Sequence, residues 1–232
     1  MPWQLSLSGE LAGVSAEALL AGMAPMPEDA PAPTAPTAPE ALLCADKPNW
    51  YLLAYGDQRP VPPQAQLARG RAGLALVLSQ LQKSGEGARV IAPHRQGVLA
   101  LDITPAAEGI VCRELLMDGR WDANPDFGPV LRRARQHCPQ PAAVLMPGSG
   151  ADNRLERLMP FFGEMAGWTG SDVPWQFAEA GMALETAGAL FTWAWMAQGL
   201  AWGQWQGDAV VVELDDSPMM GLAVVRWQGS EG

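Results

Sequence analysis

The sequence predicts an α/β fold in which a long apolar helix is held between sheet layers. Short apolar runs of strand length alternate with longer stretches of helical spacing. The second half of the chain repeats the element order of the first, and the chain closes on two apolar runs, "DAVVVEL" (208–214) and "MGLAVVRW" (220–227), that read as buried strands. A length of 232 residues suits one compact domain.

Residues 1–23 form an N-terminal strand and helix region. Residues 24–40, "APMPEDAPAPTAPTAPE", carry proline at nearly every second or third position, which forbids helix and ladder pairing and predicts an extended loop or linker. "NWYLLAY" (49–55) is a short apolar strand. The spacing of Leu67, Leu74, Leu78 and Leu81 predicts a helix from Gln66 to Lys83, stopped by Ser84-Gly85 and followed by a strand at 88–92. "GVLALDI" and "GIVCREL" read as strands separated by a Thr104-Pro105 turn. The second half gives a helix at 126–137, a strand at 142–146, a Gly-rich turn opening a further helix, the long helix near 178–200, and the closing strands.

A net charge of −10 disfavours nucleic acid or an anionic membrane surface, since an acidic protein releases no counterions there. A basic or neutral protein surface is the natural partner. Cys44, Cys112 and Cys138 are odd in number, have no CxxC spacing, and form no zinc set with His94 and His137, so neither metal nor cofactor is expected and a reduced, cytoplasmic setting fits. The N-terminus lacks the basic and apolar regions of a secretory signal. Residues 181–203 approach membrane-spanning length, but Glu185, Gln198 and many small residues favour a helix buried on all sides.

The turn "MPGSGADNRLE" (146–156) follows a strand and opens a helix, where backbone N–H groups and the helix dipole can hold an anion. It matches neither the Walker pattern nor GxGxxG, and the glycine beside Ser149 has the wrong spacing for a nucleophile elbow. Asp152 is better read as a helix cap. Cys138 follows His137 directly and points away from it, Cys112 lies in an apolar strand, and Cys44, just beyond the Pro-rich stretch, is the exposed thiol. Trp193, Trp195, Trp202 and Trp205 are dense enough to pack a core or interface or to stack a ligand. Trp195 and Trp202, seven apart, share one helical face.

Several stretches, taken in order, resemble the thiolase superfamily, particularly β-ketoacyl synthases. "LARGRAGLALVLSQLQKSGEGARVIA" is similar to the nucleophile helix, with Gly70 where the family's Cys belongs. "AVLMPGSGADNRLERLMPFFGE" is similar to the strand and Gly-Thr-Gly loop. There Ser149 stands for Thr, Asp152 and Glu156 lie near the acidic positions, and Pro147 holds the first His position. "GMALETAGAL" is similar to the second-His segment, with Met182 at the His and Glu185 for a Gly; "DDSPMMGLAVVRW" resembles the closing turn and last strand.

The resemblance spans 64–228 and implies a layered α/β/α/β/α sandwich with buried central helices over 41–232, in shortened form. Acyl transfer in that superfamily needs a thiolate to attack and imidazoles to stabilise charge. Gly70, Pro147 and Met182 supply neither, so a non-enzymatic protein is expected.

The first expectation is therefore a protein-binding adaptor or assembly partner that pairs with itself or with another thiolase-like chain; loading a toxin effector in bacterial type VI secretion is one such role. The alternative is an accessory subunit like the chain-length factors of fatty-acid or polyketide biosynthesis, with a tunnel beside Met182. A third reading relocates the chemistry to Cys44 or Glu185. The candidate binding residues are Ser149, Asp152, Glu185, Trp195 and Trp202.

Overall fold

The computed structural model of the chain describes residues 1–22, 38–119, 126–150, 153–169, 173–214 and 218–229. Asp152 and all but the last three positions of the Pro-rich segment lie outside them.

The first half comprises β1 (Trp3–Leu11), β2 (Val14–Ser15), α1 (Ala16–Leu20), β3 (Asn49–Leu53), β4 (Ala65–Arg69), α2 (Gly73–Ser84), β5 (Ala88–His94) and β6 (Gly97–Pro105). The second comprises β7 (Gly109–Gly119), α3 (Gly128–His137), β8 (Ala143–Leu145), α4 (Asn153–Leu158), β9 (Trp175–Gln176), α5 (Ala187–Ala201), β10 (Asp208–Leu214) and β11 (Met219–Gln228).

With β2 set aside as a short hairpin on β1, both halves have the same topology. The path β4-β3-β5-β6-β1 continues into β7-β11-β10-β8-β9, so each half places its strands in the order third, second, fourth, fifth, first. In each, the second strand runs parallel to the third and fourth, and the fifth runs antiparallel to its neighbours. The half-sheets meet at a single residue pair, Trp3 with Ile110.

Period-two alternation explains how both faces of each half-sheet are buried. In the second half-sheet, Ala209, Val211, Ala223 and Val225 face a central core that also holds α2 and α5, while Val210, Val212, Leu222 and Val224 face Val130, Leu131 and Ala134 of α3. In the first, Leu52, Val90, Leu99 and Leu101 face the central core; Tyr51, Leu53, Ile91 and Val98 face outward, under Leu42, Leu43 and Val61 from short connecting segments. α2 touches β3 and β4 of its own half and β7 and β11 of the other; α5 touches β1, β5 and β6 as well as β7 and β11. Each central helix is thus packed between the half-sheets, which is why α5 is buried from Ala187 through Ala194. No described helix is long and apolar enough to cross a membrane.

Two helices are shorter than the sequence pattern suggests. Residues 65–69 pair in parallel with β3 as an edge strand, and Leu67, part of the helical stripe, is 41% exposed. The break falls at Gly70, whose φ of 67° is left-handed, and of the four leucines in the stripe Leu74, Leu78 and Leu81 lie on the buried face of α2. The long helix begins at Ala187 rather than near 178 because Gly181 (φ 75°) and Glu185 (φ 52°) take left-handed conformations that no α-helix accommodates. The turn assigned to Thr104-Pro105 falls after Pro105, which still pairs with Trp3 as the last residue of β6. The stop at Ser84-Gly85 is a left-handed cap, Gly85 N–H donating to Leu81 O.

Gly199 lets α5 approach Trp205, whose ring stacks edge to face on Trp195 at 5.2 Å. A Cβ on Gly199 would lie 2.5 Å from the Trp205 ring. Gly199→Ala is therefore expected to destabilise the protein by about 1–3 kcal/mol in urea unfolding. An unchanged midpoint would mean that the Trp205 ring yields freely.

Candidate functional site

Strand β4 ends in a tight turn made by Gly70, whose N–H donates to Leu53 O at 2.8 Å, and α2 starts three residues later. After β8 comes Pro147-Gly148-Ser149-Gly150, in which Gly148 (φ 77°) and Gly150 (φ 80°) are left-handed. Residues 177–186 form an irregular loop leading into α5, where Met182 N–H donates to Glu179 O at 2.8 Å. Met182 thus stands in a loop before the buried helix, not inside it.

Residues within three positions of Gly70, Pro147 and Met182 converge on one buried cluster. Arg71, fully buried, holds Glu179 Oε1 at 2.7 Å through Nη2 and Glu213 Oε2 at 2.8 Å through Nε. Its Nη1 donates to Glu185 O at 2.8 Å. Glu179 Oε1 also accepts from Gly148 N–H at 3.2 Å and from Thr192 Oγ1 at 3.3 Å. The cluster ties together the turn after β4, the turn after β8, the loop before α5, α5 and β10. Gly188 makes it possible, since a Cβ there would lie 1.9 Å from Glu179 Oε2.

One guanidinium faces two carboxylates in this cluster. Burial and, less strongly, the neighbouring Glu179 outweigh the downward pull of Arg71, so the Glu213 carboxyl is raised to about 7. Burial opposes the Arg71 charge, but the two carboxylates outweigh it and hold the guanidinium above its ordinary range. Glu179 Oε2 and Glu213 Oε1 have no hydrogen-bond partner among the described residues. His94 braces the same loop from β5: Gln96 N–H donates to Nδ1 at 3.2 Å, which leaves Nε2–H to donate to Ala183 O at 3.0 Å. Burial lowers the His94 pKa, so this neutral tautomer persists.

Of the residues singled out from sequence, Ser149 is half-buried in the turn after β8. Glu185 is exposed and reaches the cluster only through its backbone carbonyl. Trp195 lines a cavity of 280 Å³ with Leu19, Ala178, Met182 and Phe191. Trp202, 74% exposed, lines a different cavity of 680 Å³. Their shared helical face therefore spans two adjoining hollows rather than one platform. Burial pushes the Cys112 thiol up to about 12 and that of Cys138 to about 11, which keeps both protonated. Cys44 precedes β3, its backbone held by the Asn49 amide, at the opposite end of that strand from the Leu53 carbonyl that meets Gly70. Among the described residues no group of three or more His, Cys, Asp or Glu could hold a metal ion.

Arg71, Glu179 and Glu213 escape the sequence reading, although two of them carry a signal: Arg71 follows Gly70 directly, and Glu213 interrupts an otherwise apolar strand.

Against solved structures the chain matches the ishigamide ketosynthase/chain length factor with a TM-score of 0.59 at 12% identity, over 99% of this chain and 100% of that one. The fold is thiolase-like. A tetronic acid condensing enzyme matches this thiolase-like chain with a TM-score of 0.52 at 12% identity, covering 79% of this chain and 80% of its own. An oxazolomycin ketosynthase domain from Streptomyces albus matches with a TM-score of 0.52 at 14% identity, covering 83% and 75%. No family model matches the sequence, and no curated protein does. At these identities the likeness to the thiolase-like structures is one of fold.

Proposed function

We propose that the protein is a non-catalytic accessory subunit that pairs with a ketosynthase, as a chain-length factor does. The observation that carries this reading is the end-to-end match with the ketosynthase/chain length factor structure, which leaves almost none of either chain unaligned. The site supports it. Gly70, Pro147 and Met182 offer no nucleophile and no imidazole; the charged Arg71 cluster occupies the interior next to Gly70, and a cavity of 280 Å³ lies beside Met182.

The topology supports one surface for such a partner. β4 closes one end of the sheet path, pairs only with β3 among the described residues, and leaves Gln66 and Leu67 exposed. An edge strand with an exposed leucine extends readily by antiparallel addition of a second thiolase-like chain. The broader reading, a protein that works through protein contacts, includes this one. Loading of a toxin effector in type VI secretion draws support from no feature of the fold.

The test is affinity capture of the tagged chain from its native cells, with mass spectrometry and size-exclusion chromatography. A ketosynthase is expected in stoichiometric amount, and Leu67→Asp is expected to weaken its retention about tenfold or more. Recovery of a lone monomer with neither ketosynthase nor acyl carrier protein would sink the pairing. Transfer of an acyl group from a thioester to the isolated chain would sink the non-catalytic assignment.

A further inference from the structure

β1 lies within the sheet path, yet one of its edges is open. Ala106 N–H donates to Pro2 O at 3.1 Å and Ala12 N–H to Gln96 O at 2.8 Å, so the even-numbered residues of β1 turn their backbone groups toward β6. Alternation in an antiparallel ladder turns the N–H and C=O groups of Trp3, Leu5, Leu7 and Gly9 the other way. On that side Trp3 meets β7 at Ile110, and β2 covers only Glu10 and Leu11. Leu5, Leu7 and Gly9 are left without a ladder partner among the described residues. The 680 Å³ cavity opens beside this stretch, walled by Leu5, Leu7, Leu20, Ala197, Trp202 and Trp227.

We propose that this open edge of β1 docks an extended peptide segment of a partner protein, with apolar side chains at alternate positions and a lysine or arginine nearby. Unpaired backbone N–H and C=O groups call for another peptide backbone, which a lipid or a sugar does not supply. The cavity takes the inward side chain of the added strand, and Trp202 forms its outer wall. Among the described residues Glu17 is the only charged side chain lining the cavity, and the chain as a whole carries a net charge of −10, so a basic peptide is the complementary one. This site lies at the joint between the half-sheets, whereas β4 ends the sheet path, and it does not depend on the pairing proposed above.

The experiment uses the full chain and a dye-labelled peptide of sequence KVTLTVK, read by fluorescence anisotropy and by backbone amide hydrogen exchange. Binding is expected to slow exchange at Leu5 and Leu7 by about tenfold or more. Trp202→Ala, an exposed position whose loss leaves the core intact, is expected to weaken binding about tenfold. Glu17→Lys is expected to weaken it roughly two- to fivefold, as a solvent-screened ion pair would. The same peptide N-methylated at alternate residues is expected not to bind. Equal binding of the methylated peptide would overturn the proposal, because the groove would then be reading side chains alone. Protection at Gln66–Ala68 instead of β1 would overturn it in favour of the β4 edge. Concentration-dependent self-association that protects Leu5 and Leu7, with no effect of peptide, would assign the edge to a second copy and overturn it likewise.

Discussion

Arg71→Met is expected to remove about 3–5 kcal/mol of stability, the cost of breaking a buried ion pair by deleting one partner. Total stabilities of about 5–15 kcal/mol leave little margin for such a loss, so poor soluble yield at 37 °C should accompany the drop. The cause is specific. Without the guanidinium, Glu179 and Glu213 face each other in the buried interior, and among the described residues only Gly148 N–H and Thr192 Oγ1 remain as hydrogen-bond donors to Glu179. The companion variant Arg71→Met with Glu179→Gln and Glu213→Gln removes all three charges and should recover most of the urea midpoint, since a neutral cluster carries no uncompensated charge. A single variant within about 0.5 kcal/mol of the parent, which is surface-substitution behaviour, would show that the cluster does not brace these turns.

Glu213 should make stability fall as pH rises from about 4.5 to about 7. Its carboxyl titrates near 4.5 in the unfolded chain and is raised to about 7 in the folded protein. Between those values the folded state holds a proton that the unfolded state has released. The stabilisation is therefore fully present below about pH 4.5 and is lost as pH climbs to about 7; at about 1.4 kcal/mol per pKa unit it amounts to something on the order of 3 kcal/mol. Glu213→Gln keeps an acceptor for Arg71 Nε, so it should flatten this slope and leave the protein more stable than the parent at pH 8. Urea denaturation at pH 5, 6.5 and 8 reads the difference directly. Parallel slopes for parent and variant would place the titration on another group.

Much of the fold was legible because strand and helix signals in this chain are local. The closing strands, the strand expected at 88–92 and observed as Ala88–His94, and the cap at Gly85 follow from apolar runs and one left-handed glycine. The misread stretches share a cause. Ala65–Arg69 has a helical leucine spacing only when Leu67 is grouped with the true helix; parallel pairing with β3, a contact between distant residues, makes it a strand. The loop 177–186 looks helical by composition, and the two left-handed residues that forbid it, Gly181 and Glu185, are fixed by the packing around Arg71 and His94.

By itself the sequence determined the α/β class, the repeat of element order between halves, the burial of the long helix expected near 178–200, and the absence of thiol and imidazole from Gly70, Pro147 and Met182. Composition and periodicity are properties of neighbouring residues, and they need no third dimension. Only the tertiary structure decided that residues adjoining those three positions meet on Arg71, Glu179 and Glu213, and that β1 keeps an open edge beside Trp202. Both depend on how the two half-sheets close over α2 and α5, which brings together side chains more than a hundred residues apart, as in the Arg71–Glu213 pair at a separation of 142 residues.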